Sequence, residues 1–170
     1  MHLTHREWWT LVHGMILGAL FLLAFSGGLA GLYSLRSEYL TPEGLRERIR
    51  RLKVGMSAMA ITAWLTVITG TWIVYPWYRE TSPDSPKSKL LADPDTADWH
   101  EFGMEWKEHI AWIAPMLATT AAFLAIYYGA ALARNRYLRL VVMSFFVAAF
   151  LTAGIAGLYG ALITKAAPVQ

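Results

Sequence analysis

Apolar residues dominate four stretches of this chain, at positions 9–33, 54–77, 109–132 and 137–163, and polar residues collect between them. Each run exceeds the roughly 20 helical residues needed to cross a hydrocarbon core. Helices are the way a single run can satisfy its backbone inside lipid, so the pattern predicts an all-α integral membrane protein. The expected architecture is an up-and-down four-helix transmembrane bundle, one domain over residues 1–170. The first run is longer than the apolar region of a secretory signal and follows a segment with little positive charge, so it is read as a retained span.

The polar links carry their own signals. Thr41, Pro42 and Glu43 have the cap, first-turn proline and first-turn acid of a helix start. Leu45, Ile49 and Leu52 then recur at helical spacing among Arg46, Arg48, Arg50 and Arg51, which predicts an amphipathic helix over 42–53 lying on an anionic membrane surface. The second run closes in Trp72, Tyr75, Trp77 and Tyr78, an interfacial aromatic cluster. Residues 79–98 contain Ser82-Pro83, Ser85-Pro86 and Asp93-Pro94, and read as a long, polar, partner-facing loop. Asp95 or Thr96 then caps a helix that runs into the third span, with Pro115 inside its apolar part as a candidate kink.

Composition agrees with this reading: 56% of residues are hydrophobic, and the mean hydropathy is +0.37. The net charge of +3 does not point to nucleic acid, because the basic residues lie between spans and act as topology signals. Arg36, Arg46, Arg48, Arg50, Arg51, Lys53, Arg134, Arg136 and Arg139 fall on one side, which the positive-inside rule makes cytoplasmic. Both termini and the 79–98 loop are then outside, and the expected location is the inner (plasma) membrane of a bacterium. The chain has no cysteine, which excludes disulfides, thiolate metal sites, iron–sulfur clusters and covalently attached haem. Any cofactor must be held by His, Met, carboxylates or packing.

In that orientation all five histidines lie toward the outer side. His13 and His109 each sit near the start of an odd-numbered span, at similar depth, where facing helices of a bundle build cofactor sites. Two neutral imidazoles from different helices are the axial ligand set of an iron porphyrin, and Gly14 and Gly18 beside His13 let a flat group or another helix approach the backbone. Arg79 and Lys107 are candidate partners for haem propionates. Glu105, four residues before His109, shares its helix face and can orient its ring. His100 is turned to the other face. Met15, Met104 and Met116 lie near the two histidines as alternative ligands, and His13, His109 and Glu105 form a candidate metal set without porphyrin. Taken singly, each histidine is also explained as an interfacial residue bonded to Thr10, Glu105 or water.

With its whole-chain architecture, and with His13, Gly14, Gly18 and His109 as the residues that carry the likeness, the chain resembles the small four-helix membrane cytochromes b. The resemblance implies b-type haem between helices and electron exchange with quinones or a redox partner. Two-haem members of that group place histidines toward both membrane faces; here the inner half has none, so one haem is expected, with quinone as a further ligand. The acidic residues Asp93, Asp95, Asp98, Glu101 and Glu105 suit a basic periplasmic cytochrome, and other subunits of a respiratory complex are the other class of partner. An electron-transfer subunit is expected rather than a self-contained enzyme, and no catalytic residue is assigned. The competing reading is a cofactor-free membrane subunit or assembly factor. A channel or transporter is disfavoured, because no span carries a mid-membrane acid or paired charge. Gly28-Leu-Ala-Gly31-Leu-Tyr33 is echoed by Gly154-Ile-Ala-Gly157-Leu-Tyr159, which reads as recurrent small-residue packing or as a trace of duplication.

Overall fold

The computed structural model describes residues 2–35 and 40–168. Arg36, counted above with the basic side, lies outside them. Four helices are long and apolar enough to span a membrane: α1 (His5–Ser34), α2 (Pro42–Tyr78), α4 (Pro94–Tyr128) and α6 (Arg136–Ala166). Two short helices, α3 (Pro86–Ala92) and α5 (Ala131–Arg134), sit in the links. Consecutive long helices run antiparallel and pack side by side as an all-α bundle. The protein is therefore a multi-pass membrane protein by its architecture. One end of the bundle, the termini end, carries the start of α1, the end of α6 and the link through α3; the other, the basic end, carries the end of α1, the start of α2 and α5.

The packed interior lies toward the basic end and the middle. Leu32, Leu35, Ile49, Leu52, Met56 and Leu132 meet there with almost no exposed surface. Ala114, Ala118, Ala121 and Ala125 are all buried on α4. Lipid tails are as apolar as leucine, so small residues that let helices approach closely are a main source of helix association in a bilayer. The fourth side of the square, between α1 and α6, is closed by a phenylalanine ladder: Phe25 stacks on Phe150 at 3.9 Å and on Phe146 at 5.2 Å, and Phe21 on Phe150 at 6.4 Å. Gly28 is needed beside this ladder, because a Cβ there would come within 2.5 Å of Phe146 Cζ.

Two expectations are corrected. The 42–53 segment does begin as the sequence indicates, with Thr41 accepting from the Gly44 N–H and Pro42 in the first turn, but no break follows: the same helix continues into the second span. Its Ile49 and Leu52 are buried in the same apolar cluster as Leu35 and Leu132, so the apolar stripe is satisfied by protein. The 79–98 segment is not a free polar loop either. Pro86 and Leu90 of α3 are buried, and Leu90 joins Tyr78, Met104, Ile163 and Ala167 in a second small core that covers the termini end. Ser85 makes this fold back possible by capping α3, accepting from the Ser88 N–H at 3.2 Å.

Candidate functional site

Three of the four long helices change from α to π pitch at the termini end: Val12–Ile16 on α1, Gly70–Val74 on α2 and Trp99–Met104 on α4. A π turn inserts one extra residue and re-aims the side chains around it, and such turns are frequent at functional sites. The first two meet directly. His13, inside the α1 π segment, lays its ring on Gly70, where a Cβ would stand 2.7 Å from its Cε1. A glycine at that place is therefore what admits the ring.

His13 pairs with a threonine hydroxyl. Its Nδ1 is 3.1 Å from Thr69 Oγ1, and the Thr69 hydroxyl spends its own hydrogen on the carbonyls of Leu65 and Thr66 at 2.8 and 3.1 Å. With the Thr69 hydrogen on either carbonyl its oxygen accepts, and a neutral His13 ring in that arrangement carries its proton on Nδ1 and keeps a lone pair on Nε2. His109 reaches the same state differently: its Nδ1 lies 2.7 Å from the backbone carbonyl of Glu105, an acceptor. An Nδ1–H held by a carbonyl or hydroxyl, with Nε2 left as the base, is the usual outer-shell arrangement of a metal-ligating histidine.

The two rings do not occupy one space. His13 is half-buried between α1 and α2, whereas His109 is exposed. Lys107 packs its Cε 3.1 Å from where a Cβ of Gly160 on α6 would stand, and two residues further on at roughly 100° each, His109 faces away from that interior. No hydrogen bond or ring contact joins His13 to His109 among the described residues. Nor do His13, His109 and Glu105 form a metal-binding cluster there.

The remaining candidates are equally specific in their placement. Gly14 and Gly18 have no atom within 4 Å of where a Cβ would be, so α1 is open beside His13 rather than packed on another helix. Arg79 is held by Glu105 at 2.8 Å and Glu108 at 3.4 Å, and its guanidinium lies 4.9 Å from the centre of the Tyr75 ring. The Glu105 carboxylate thus serves Arg79, and it is the Glu105 carbonyl that orients His109. Met104 is buried in the small core; Met15 and Met116 are exposed.

Sequence reading missed the pair Tyr78 and His100, in which the tyrosine hydroxyl is 2.8 Å from His100 Nδ1 and both side chains are buried. Tyr78 was expected in an interfacial belt. The signal that separates it from its neighbours is the link that follows, which folds back and covers it. Arg6 and Glu80 likewise join the N-terminal turn of α1 to the end of α2 through two hydrogen bonds of 3.0 and 2.6 Å.

Compared with known proteins, the chain matches no family model, no curated protein and no solved structure. What the site can hold is therefore judged on its chemistry. A b-type haem needs an axial nitrogen, a flat space beside it and cations for its propionates. His13 supplies the first, and Gly14 and Gly18 leave the second open. Of the two cations, Arg79 already has two carboxylates, while Lys107 makes no hydrogen bond or ion pair among the described residues. The fit is thus on the His13 side; His109 offers the right nitrogen on another face.

Proposed function

We propose that this multi-pass membrane protein is a b-type cytochrome subunit that holds one haem at its termini end through His13 Nε2. It passes electrons between a redox partner on that side and quinone or a larger membrane complex. The observation that supports this reading is the contact of His13 Nδ1 with the Thr69 hydroxyl, which leaves Nε2 without a hydrogen-bond partner, beside the open flank of Gly14 and Gly18. When bound, haem supplies one-electron redox chemistry. The chain's own residues do the positioning: Thr69 pairs with Nδ1, Gly70 gives the ring its seat, and the π turn of α1 directs it there. By the positive-inside rule the termini end faces outward, with Arg46, Arg50, Arg51, Arg134 and Arg136 in the cytoplasm.

A cofactor-free subunit of a membrane complex is the second reading, favoured by the outward position of His109. It shares the exposed side of α4 with Trp106, Ile113 and Met116, a surface suited to another chain.

Reduced-minus-oxidised spectra of the purified protein decide between them. The expected result is a b-type signal that is lost in His13→Ala. Loss by unfolding is not expected, because interhelical hydrogen bonds in membrane proteins contribute only about 0.6 kcal/mol on average. A signal that survives His13→Ala overturns the ligand assignment, and no signal in the parent protein leaves the second reading. Because His109 faces another side of the bundle, His109→Ala is expected to leave the signal, and its loss would overturn that placement.

A further inference from the structure

At the basic end the chain passes from α4 through α5 into α6. Gly129, the one described residue with a positive φ, lets α4 stop and the chain fold back. The turn leaves an open recess of about 570 Å³, lined by Arg134, Arg136 and Tyr137 with Ala130, Ala131 and Asn135. No carboxylate lines it. Arg134 and Arg136 are exposed and make no hydrogen bond or ion pair among the described residues. Lys53 of α2 adds a third positive charge beside the turn, its Nζ 3.7 Å from where a Cβ of Gly129 would stand. Four other arginines at this end are engaged: Arg48 and Arg139 donate to backbone carbonyls, and Arg50 and Arg51 pair with Glu47.

Depth decides which anion meets these arginines. Tyr127 and Tyr128 close α4 just before the recess, Tyr137 stands in its wall at the start of α6, and all three rings are exposed. Exposed tyrosines at the ends of transmembrane helices settle at the headgroup level, with the ring toward the acyl chains and the hydroxyl toward water. The recess between them therefore lies in the layer that holds phospholipid phosphates. A guanidinium presents a planar fork of donors that matches two oxygens of a phosphate. The positive-inside rule assigns this end to the cytoplasmic leaflet, whose anionic lipids attract such groups.

We propose that this recess binds the headgroup phosphate of an anionic phospholipid, with Arg134 and Arg136 as its donors and Lys53 adding charge beside the turn. The inference goes beyond the haem reading and is independent of it, because His13 lies at the other end of the bundle.

The test uses the full chain in neutral detergent. Phosphatidylglycerol and phosphatidylcholine with the same acyl chains are added in equal amounts, and retained lipid is counted by native mass spectrometry. Each cation near an anionic headgroup is worth about fivefold in affinity. The parent protein is expected to prefer phosphatidylglycerol, and the double variant Arg134→Gln with Arg136→Gln to lose roughly twentyfold of that preference. Arg50→Gln with Arg51→Gln removes the same charge from the same end and is expected to leave the preference intact. All four arginines are exposed, so neither pair of replacements opens the core. An unchanged preference in the Arg134 and Arg136 variant overturns the proposal, and so does an equal loss in the Arg50 and Arg51 variant, which would trace the effect to diffuse surface charge. Glycerophosphoglycerol, the same headgroup without acyl chains, is expected not to displace the bound lipid; displacement would assign the recess to a soluble anion and overturn the lipid assignment.

Discussion

The two ends of the bundle solve different problems with the same helices. Toward the basic end, α1, α2 and α4 hold regular α geometry, the interior is apolar, and every seam is closed by alanine, leucine or phenylalanine. Toward the termini, three of the four helices take π turns, a smaller apolar core around Leu90 lies among His, Tyr, Thr, Lys, Glu and Arg side chains, and Gly14 and Gly18 meet nothing. The echoed glycine segments make the contrast within one motif. Gly28 and Gly31 press on Phe146 and Leu52, whereas Gly154 and Gly157, in near-identical sequence, touch nothing. Small residues in a membrane helix thus permit close approach without causing it; the partner helix decides whether the approach occurs.

The largest expected effect tests the closed end. Phe146 is fully buried and stacked on Phe25, so Phe146→Ala should cost about 3–5 kcal/mol, measured by unfolding in mixed micelles. A loss no larger than that of an exposed residue such as Phe123 would erase the distinction between the two ends.

Next is a pair of glycine replacements with opposite signs. Gly28→Ala drives a methyl into a ring that cannot swing aside and should destabilise by about 1–3 kcal/mol. Gly14→Ala meets open space and should stabilise by roughly 0.5–1 kcal/mol through helix propensity alone. Equal effects would mean the seam beside Gly14 is closed in the membrane.

Gly70→Ala is a finer probe of the polar end. The new methyl would meet only the far edge of the His13 ring, so stability should fall by less than about 1 kcal/mol while the ring is displaced from Thr69. The readout is the haem spectrum, and an unchanged signal would argue that the seat on Gly70 does not position the ligand.

The smallest effect belongs to Arg79→Gln. Arg79 and Glu105 are both substantially exposed, with side-chain accessibilities of 37% and 45%, so the loss should be about 0.2–1 kcal/mol and should shrink as salt is added. A salt-independent loss would place the Arg79 pairs in a drier setting than their exposure indicates.

The packed end was legible in the sequence because its information is local. Runs of apolar residues give spans, and Thr41-Pro42-Glu43 gives a helix start. The arginines were only partly legible. Arg48 and Arg139 read as topology charges, yet each donates to carbonyls where a helix ends, Ser34 for the first and Leu132 and Ala133 for the second. The candidate site was the least legible. His13 and His109 were found by depth, but depth does not determine azimuth. The π turn at Val12–Ile16 alters the residue-per-turn count on which a face assignment for His13 depends, and Lys107 rather than His109 takes the inward position on α4. Tyr78 with His100 joins residues 22 apart, through a link whose fold no periodicity reveals.

The 37 residues of α2 make a rod about 55 Å long, against a hydrocarbon layer of about 30 Å. Upright, it outreaches that layer by roughly 25 Å, and at the basic end Glu47, Arg50 and Arg51 form ion pairs on its surface. The rod is therefore a lever: its handle is the charged first turns at the basic end, and near its far end is Gly70, on which the His13 ring rests. Anything that grips or turns the handle acts mechanically along one continuous element toward the ring, so a contact made on one side of the bilayer has a rigid path to the opposite side.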